Sequence, residues 1–202
     1  MSPVSFALFG TLVDADLPDD PATAVGEELR DRDVDVPDDW RDAYREIHID
    51  SPAGAEVPLP AHVSRALASR GVDAPGNAAR RAVVAAFDPA VRTRDGAVEA
   101  VHRAREGGPV GLLANCAVPE LVGRVLVRSA LSRDDFDAIV TSVACGWRKP
   151  DPRAFERVAD ALDGEVAGLT HVGSDDALDG AVVDAGGRYL AAEDGIPPVR
   201  PE

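Results

Sequence analysis

Five short apolar runs, each closed by a turn signal, set the frame: VSFALF at 4–9, then 109–113, 138–142, 169–173 and 188–192. Runs of five or six residues bounded by Gly, Pro, Asp or Ser read as strands buried on both faces rather than as helices. From the second run onward, helical stretches alternate with them. Residues 93–106 carry Val98 and Val101 on one face, 118–129 carry Leu121, Val122, Val125 and Leu126, and 151–162 open with Pro152 and continue through Phe155 and Val158. That alternation predicts an α/β fold built on a doubly wound parallel sheet.

The interval between the first and second runs breaks the pattern. It shows helical starts and no strands: Asp20 and Pro21 before ATAVGEEL, Pro37 and Asp38 before WRDAYREI, Pro60 before AHVSRALASRG, and Asn77 before AARRAVVAAF. Ligands of open parallel sheets bind beyond the carboxyl ends of the strands, so an insertion leaving strand one would roof that crevice. The expected division is a core of residues 1–14 and 91–202 with a helical cap of residues 15–90. Residues 52–60 read as a loose connector within the cap.

Charge narrows the partners. The chain has 202 residues, 36 acidic and 21 basic, for a net −15. Nucleic-acid binding rests on Lys and Arg neutralising phosphates, so no nucleic-acid partner is expected. No apolar run approaches the roughly 18–20 residues of a membrane-spanning helix, so no membrane partner is expected either. The opening MSPVSFALFG has no basic region before its apolar run, which predicts a cytoplasmic protein rather than an exported one. The apolar and charged fractions, 45% and 28%, exclude disorder and fibre. Two cysteines, Cys116 and Cys145, are too few for a disulfide framework or a four-ligand zinc site. Lys149 is the sole lysine beside 20 arginines. Excess carboxylate with lysine nearly absent resembles proteins of salt-loving archaea, where the Debye length falls to about 3 Å and self-repulsion is screened. A GC-rich genome would produce part of the same bias. One lysine retained where arginine fills every other basic position points to a site that needs a compact ammonium, set against chance survival.

Four segments taken together carry a resemblance. SFALFGTLVDAD at 5–16, LLANCAVPEL at 112–121, CGWRKPDPRAF at 145–155 and HVGSDDALDGAVVDAGG at 171–187 are similar, in order and separation, to the four motifs of the haloacid dehalogenase superfamily. The resemblance spans the chain and implies a Rossmann-like core with a helical cap inserted after the first motif. It implies a hydrolase in which an aspartate closing strand one attacks phosphorus or a halogen-bearing carbon, and water then cleaves the covalent intermediate. Magnesium is that family's usual cofactor.

This sequence departs from the pattern at the positions that do the chemistry. The nucleophile position is Ala7, and a methyl group attacks nothing. Phe9 stands at the second acidic position, beside Gly10 and Thr11 of the turn. The second motif normally ends in a hydroxyl that holds the transferred group; here the residue is Ala114, with Asn115 beside it. Lys149 matches the third-motif lysine. The usual Gly-Asp of the fourth motif reads Gly173-Ser174, with Asp175, Asp176 and Asp179 following. The resemblance thus assigns the catalytic frame to Lys149, Asn115, Asp179 and Thr11, a ligand cradle to Gly10, Asn115, Lys149 and Ser174, and metal ligation, if any, to Asp175 and Asp179.

Plainer readings stand beside these. Ala7 and Ala114 also suit buried strand ends, and Asp175, Asp176 and Asp179 also suit a helix N-terminus, where the backbone dipole favours acids. Asn115 also suits a turn cap. Cys116 and Cys145 should lie near the crevice rim as free thiols. Asp14 and Asp16 should point toward the cap, and His171, inside a strand, reads as a core histidine with its ring satisfied. Trp40, Tyr44 and His48, four residues apart, suit the crevice lining or a helix face equally.

The joint replacements at 7, 114 and 174 imply a hydrolase scaffold whose own activity is lost or very weak, serving as a binding module for a small anion, a ligand or a protein partner. The alternative is a working hydrolase of phosphate esters or 2-haloacids in which Asp175 or another acid substitutes for the missing group.

Overall fold

The computed structural model describes residues 2–192. In chain order its elements are β1 (Val4–Phe6), β2 (Val13–Ala15), α1 (Pro21–Arg30), α2 (Trp40–Arg45), α3 (Leu59–Ala68), α4 (Ala78–Ala86), β3 (Val91–Thr93), α5 (Ala97–Gly107), β4 (Val110–Ala114), α6 (Leu121–Arg128), β5 (Ala138–Thr141), α7 (Ser142–Cys145), α8 (Pro152–Ala161), β6 (Thr170–Gly173) and β7 (Arg188–Ala191). β1, β4, β5, β6 and β7 form one sheet in the order β5-β4-β1-β6-β7, with every pairing parallel. The order reverses at β1, which places a crevice beyond the carboxyl ends of β1, β4 and β6.

Strand parity divides the core. Phe6, Leu112 and Val172, paired across three strands, belong to one buried cluster that also holds Val101, Val125 and Val25, Leu29 and Val63 of α1 and α3. Leu113 faces the other layer, against Phe155, Val158 and Leu162 of α8. Gly111 lies so close to α8 that a methyl group there would meet Val158 and Leu162 at 3.0 Å.

The helix starts follow local chemistry. Asp20 accepts from the Thr23 amide at 3.1 Å with Pro21 in the first turn, and Asp151 accepts from the Arg153 amide at 3.0 Å with Pro152 in the first turn. The first strand is shorter than its apolar run. The Leu8 carbonyl draws in the amides of Leu12 and Val13, at 2.9 and 3.0 Å, and this turns the chain at Phe9 and Gly10.

β2 and β3 form an antiparallel pair that the sequence did not announce. Residues 93–96, read as the start of a helix, instead finish this pair and a turn, and the helix begins at Ala97. The pair is the neck from which α1–α4 leave and return. Asp14 does not reach toward those helices: it pairs with Arg92 and Arg94 across the neck. Residues 52–60 are not loose. The Glu56 amide donates to the Gly146 carbonyl and the Arg148 amide to the Gly54 carbonyl, both at 2.9 Å, and the Leu59 amide donates to the Ala117 carbonyl at 2.9 Å. Trp40 is buried and donates its indole N–H to the Ala22 carbonyl at 2.7 Å, while Tyr44 stacks edge-on against Trp40 and His62. The Trp40–Tyr44–His48 face therefore packs on its neighbouring helices.

Candidate active site

The crevice is built from the ends of β1, β4 and β6. Phe6 pairs with Leu112 and Val172, and the Ala7 amide extends that ladder by donating to the Val172 carbonyl at 2.8 Å. Ala7 therefore stands level with Leu113 and Gly173, and by strand parity its methyl projects on the same face as Ser5. That face holds a buried polar network. The Ser5 hydroxyl lies 2.7 Å from His171 Nδ1, and His171 Nε2 lies 3.2 Å from Asp179 Oδ1. Lys149 Nζ forms an ion pair with Asp179 Oδ1, donates to the Leu113 carbonyl at 3.3 Å and lies 3.5 Å from His171 Nε2. The shorter histidine contact assigns the ring proton to Nε2, donating to Asp179, so that Nδ1 accepts from the Ser5 hydroxyl.

Each charge in this network is answered. Asp179 Oδ1 takes Lys149 and His171, and Oδ2 accepts the amides of Ser174 and Asp175, both at 3.1 Å. Burial alone would raise the Asp179 carboxyl, but His171 and Lys149 outweigh it and hold the group well below the usual carboxylate range. Burial, reinforced by the Lys149 ammonium, pushes His171 down to about 4, so the ring is neutral at pH 7. The side chains of Lys149 and Asp179 are only 4% and 5% exposed. The pair closes on itself and leaves no net charge facing the crevice. Gly173 permits this closure, because a methyl group there would fall within the Asp179 carboxyl.

The remaining residues are clasps. Thr11 donates its hydroxyl to Ser174 Oγ at 3.1 Å, and the Gly10 α-carbon sits where a methyl group would be 3.0 Å from the same oxygen, at a φ of 73°. Asn115 uses both ends of its amide on Lys149: Nδ2 donates to the Lys149 carbonyl at 2.9 Å and Oδ1 accepts the Lys149 amide at 2.8 Å. Gly10, Thr11 and Ser174 thus meet at one edge of the crevice, while Asn115 and Lys149 meet at the other. Ala114 ends β4 as a buried methyl.

Asp175 does not join them. Its carboxylate accepts the amides of Ala177 and Leu178, both at 3.0 Å, closing its own turn. Among the described residues no group of three or more His, Cys, Asp or Glu side chains is placed to hold a metal ion. With Ala7 and Ser174 contributing no anionic oxygen and both Asp179 oxygens held by N–H donors, the donor set does not fit magnesium.

Sequence reasoning missed two residues, Ser5 and Glu56. His171 is the core histidine with a satisfied ring that the sequence suggested, but its partner Ser5 looked like an isolated polar position, and only the β1–β6 register sets the two opposite each other. Glu56, from the segment ahead of α3, accepts the Ser142 hydroxyl at 2.6 Å, and Ser142 Oγ accepts the Cys116 amide at 2.7 Å. Burial pushes the Cys116 thiol up, so it is not a thiolate, and its Sγ–H donates to the Val118 carbonyl at 3.2 Å. Cys145 is half-buried and donates to the Trp147 carbonyl at 3.2 Å.

The five-stranded parallel sheet in this order, with helices inserted after β1, is the fold of solved haloacid dehalogenases and phosphatases. Solved structures share it across nearly the whole chain. CbbY from Rhodobacter sphaeroides in complex with phosphate is 18% identical at a TM-score of 0.60, covering 95% of this chain and 85% of that one. The L-2-haloacid dehalogenase RSc1362 is 20% identical at a TM-score of 0.57, covering 98% and 89%. The hydrolase YfnB of Bacillus subtilis, bound to magnesium, is 18% identical at a TM-score of 0.55, covering 98% and 92%. No family model matches the sequence, and no curated protein matches it.

Proposed function

We propose that this chain is a hydrolase scaffold whose covalent chemistry is silent and which is retained as a binding module for a small anion or a partner. The observation that carries the reading is the Ala7 methyl closing β1 level with Leu113, whose carbonyl accepts from Lys149, and with Gly173, against which Asp179 lies, at the place the resemblance gives to an attacking carboxylate. A covalent mechanism without its nucleophile keeps affinity and loses turnover.

The rival reading, a working hydrolase with a substitute carboxylate, needs an acid with a free oxygen at that spot. Asp179 has none, Asp175 is turned into its own backbone, and Glu56 is held at Ser142 on the β5 side, with β4 between it and Ala7. Among the described residues no helix is long and apolar enough to cross a membrane.

The test is turnover. Purified protein incubated with a panel of phosphate monoesters and 2-chloroacids, at low and at molar KCl, is expected to release no phosphate or chloride above buffer. Release that Lys149→Ala abolishes would overturn the reading in favour of a substitute carboxylate.

A further inference from the structure

The chain carries −15 overall, yet two adjoining clefts along α6 gather six of its 20 arginines. One cleft, of about 600 Å³, is lined by Arg32, Arg80, Arg81 and Arg124 with Asp88 and Glu120. The other, of about 610 Å³, adds Arg128 and Arg133 and shares Arg124 and Glu120. Six guanidinium groups line the clefts beside two carboxylates, with Glu28 pairing Arg32 from outside, which still leaves a local excess of cation on an anionic protein. None of residues 7, 10, 11, 114, 115, 149, 174 or 179 lines either cleft.

Arg124 sits where the clefts meet. Its Nη1 donates to the Val84 carbonyl at 3.1 Å and to Asp88 at 2.8 Å, whereas its Nε and Nη2 are buried without an acceptor. Those two nitrogens form the side-on edge of the guanidinium, the fork that matches two oxygens of one phosphate or carboxylate. A buried donor pair left unmade is costly and uncommon, which marks this edge as built to receive an acceptor. Arg81, on the same cleft wall, is exposed and has no ion-pair partner among the described residues. Arg80 pairs with Glu120 at 2.6 Å, and the Glu120 side chain is 64% exposed, so the resident carboxylate can be displaced by a better one.

The geometry points to a binding site for a small oxyanion of two or more negative charges, phosphate or carboxylate in type, held by Arg81 and Arg80 and, once it displaces Glu120, by the Nε–Nη2 fork of Arg124, which is closed to solvent in this structure. A cleft of this volume suits a small molecule, and a buried fork keeps its strength in high salt, where exposed charges are screened. The site is independent of the silent crevice: turnover would end that reading and leave this one untouched.

Titration of the full chain with pyrophosphate and with citrate, followed by amide chemical shifts at constant ionic strength, tests it, with acetate as the monovalent control. Saturable shifts are expected at residues 80–88 and 120–128 with at least one of the two polyanions, and none with acetate; the tighter polyanion identifies the ligand class. Arg124→Gln and Arg81→Ala should each weaken binding by about tenfold, the scale of one charge-assisted pair, and Glu120→Gln should tighten it several-fold. If Arg124→Gln unfolds, the two exposed variants carry the result. Shifts centred on residues 7–11 and 173–179, no saturable shift with either polyanion, or unchanged affinity in Arg81→Ala and Glu120→Gln would each overturn the proposal.

Discussion

On the proposed reading, introducing the three groups of the family pattern together, as Ala7→Asp, Ala114→Ser and Ser174→Asp, is expected to create magnesium-dependent phosphatase activity at least about a thousandfold above the unmodified chain. Loss of a covalent nucleophile costs on the order of 10⁶ in turnover where it has been measured, and the margin allows for imperfect placement. Position 7 lies level with Leu113 and Gly173, so a carboxylate there would meet the Lys149 ammonium from the β1 side and compete with Asp179 for it. That competition matters as much as the nucleophile. It would loosen Asp179 from its closed pair and, with an acid at 174, supply the anionic oxygens that magnesium requires and the native donor set lacks. Release of phosphate from p-nitrophenyl phosphate measures the first consequence. A rise in melting temperature on adding magnesium, confined to the revertant, measures the second without reference to turnover. Ala7→Asp alone should gain far less, because Ala114 still offers no hydroxyl to the transferred group. Equal turnover in the native chain and the revertant would end the account of a silenced hydrolase.

The elements that the sequence made legible are those whose apolar residues repeat at strand or helix period. β4 and β6 are continuous buried runs, and α6 and α8 present one apolar stripe each, so pattern and packing agree. The β2–β3 neck was hidden because its strands have three residues, and its Asp14–Arg92 pair reads as loop polarity until residues 78 apart are brought together. Lys149 was legible for a compositional reason: one ammonium among arginines marks a position with its own requirement. Its partners were less so. Asp179 was singled out by the resemblance alone, with Asp175 set beside it for metal ligation; the fold parts the two, burying Asp179 beneath Gly173 while Asp175 caps a turn and Asp176 is exposed. Asn115 was placed in the ligand cradle by analogy, whereas its amide is wholly engaged in fixing the Lys149 backbone. The arginine clefts were invisible in the sequence, since in a chain with 20 arginines no single one stands out until helices α4 and α6 converge.

Acidification should unfold this protein through His171 before it protonates the carboxylates. The unfolded ring titrates near 6.5, whereas the folded one, buried beside the Lys149 ammonium, is pushed down to about 4. Between those values the unfolded chain binds a proton that the folded chain refuses, so stability is retained above pH 6.5 and falls as pH drops through 6 and 5 toward 4. A displacement of this size corresponds to about 3 kcal/mol over the full window. Asp179 acts in a different range. Its folded pKa is depressed, so its contribution is complete above 3.8 and is lost only at lower pH. The charged groups facing the His171 ring are Lys149 and Asp179, with Phe155 stacked edge-on at 5.4 Å and the Ser5 hydroxyl at Nδ1. An imidazolium there would oppose the ammonium directly and have no second carboxylate to answer it, so protonation and opening of the crevice should coincide. Urea unfolding midpoints taken from pH 4.5 to 7.5 at fixed salt should slope steeply downward with acid in the native chain and nearly flatten in His171→Asn, whatever the absolute stability of that variant. A variant that keeps the native slope would move the acid sensitivity away from His171 and remove the buried network as its cause.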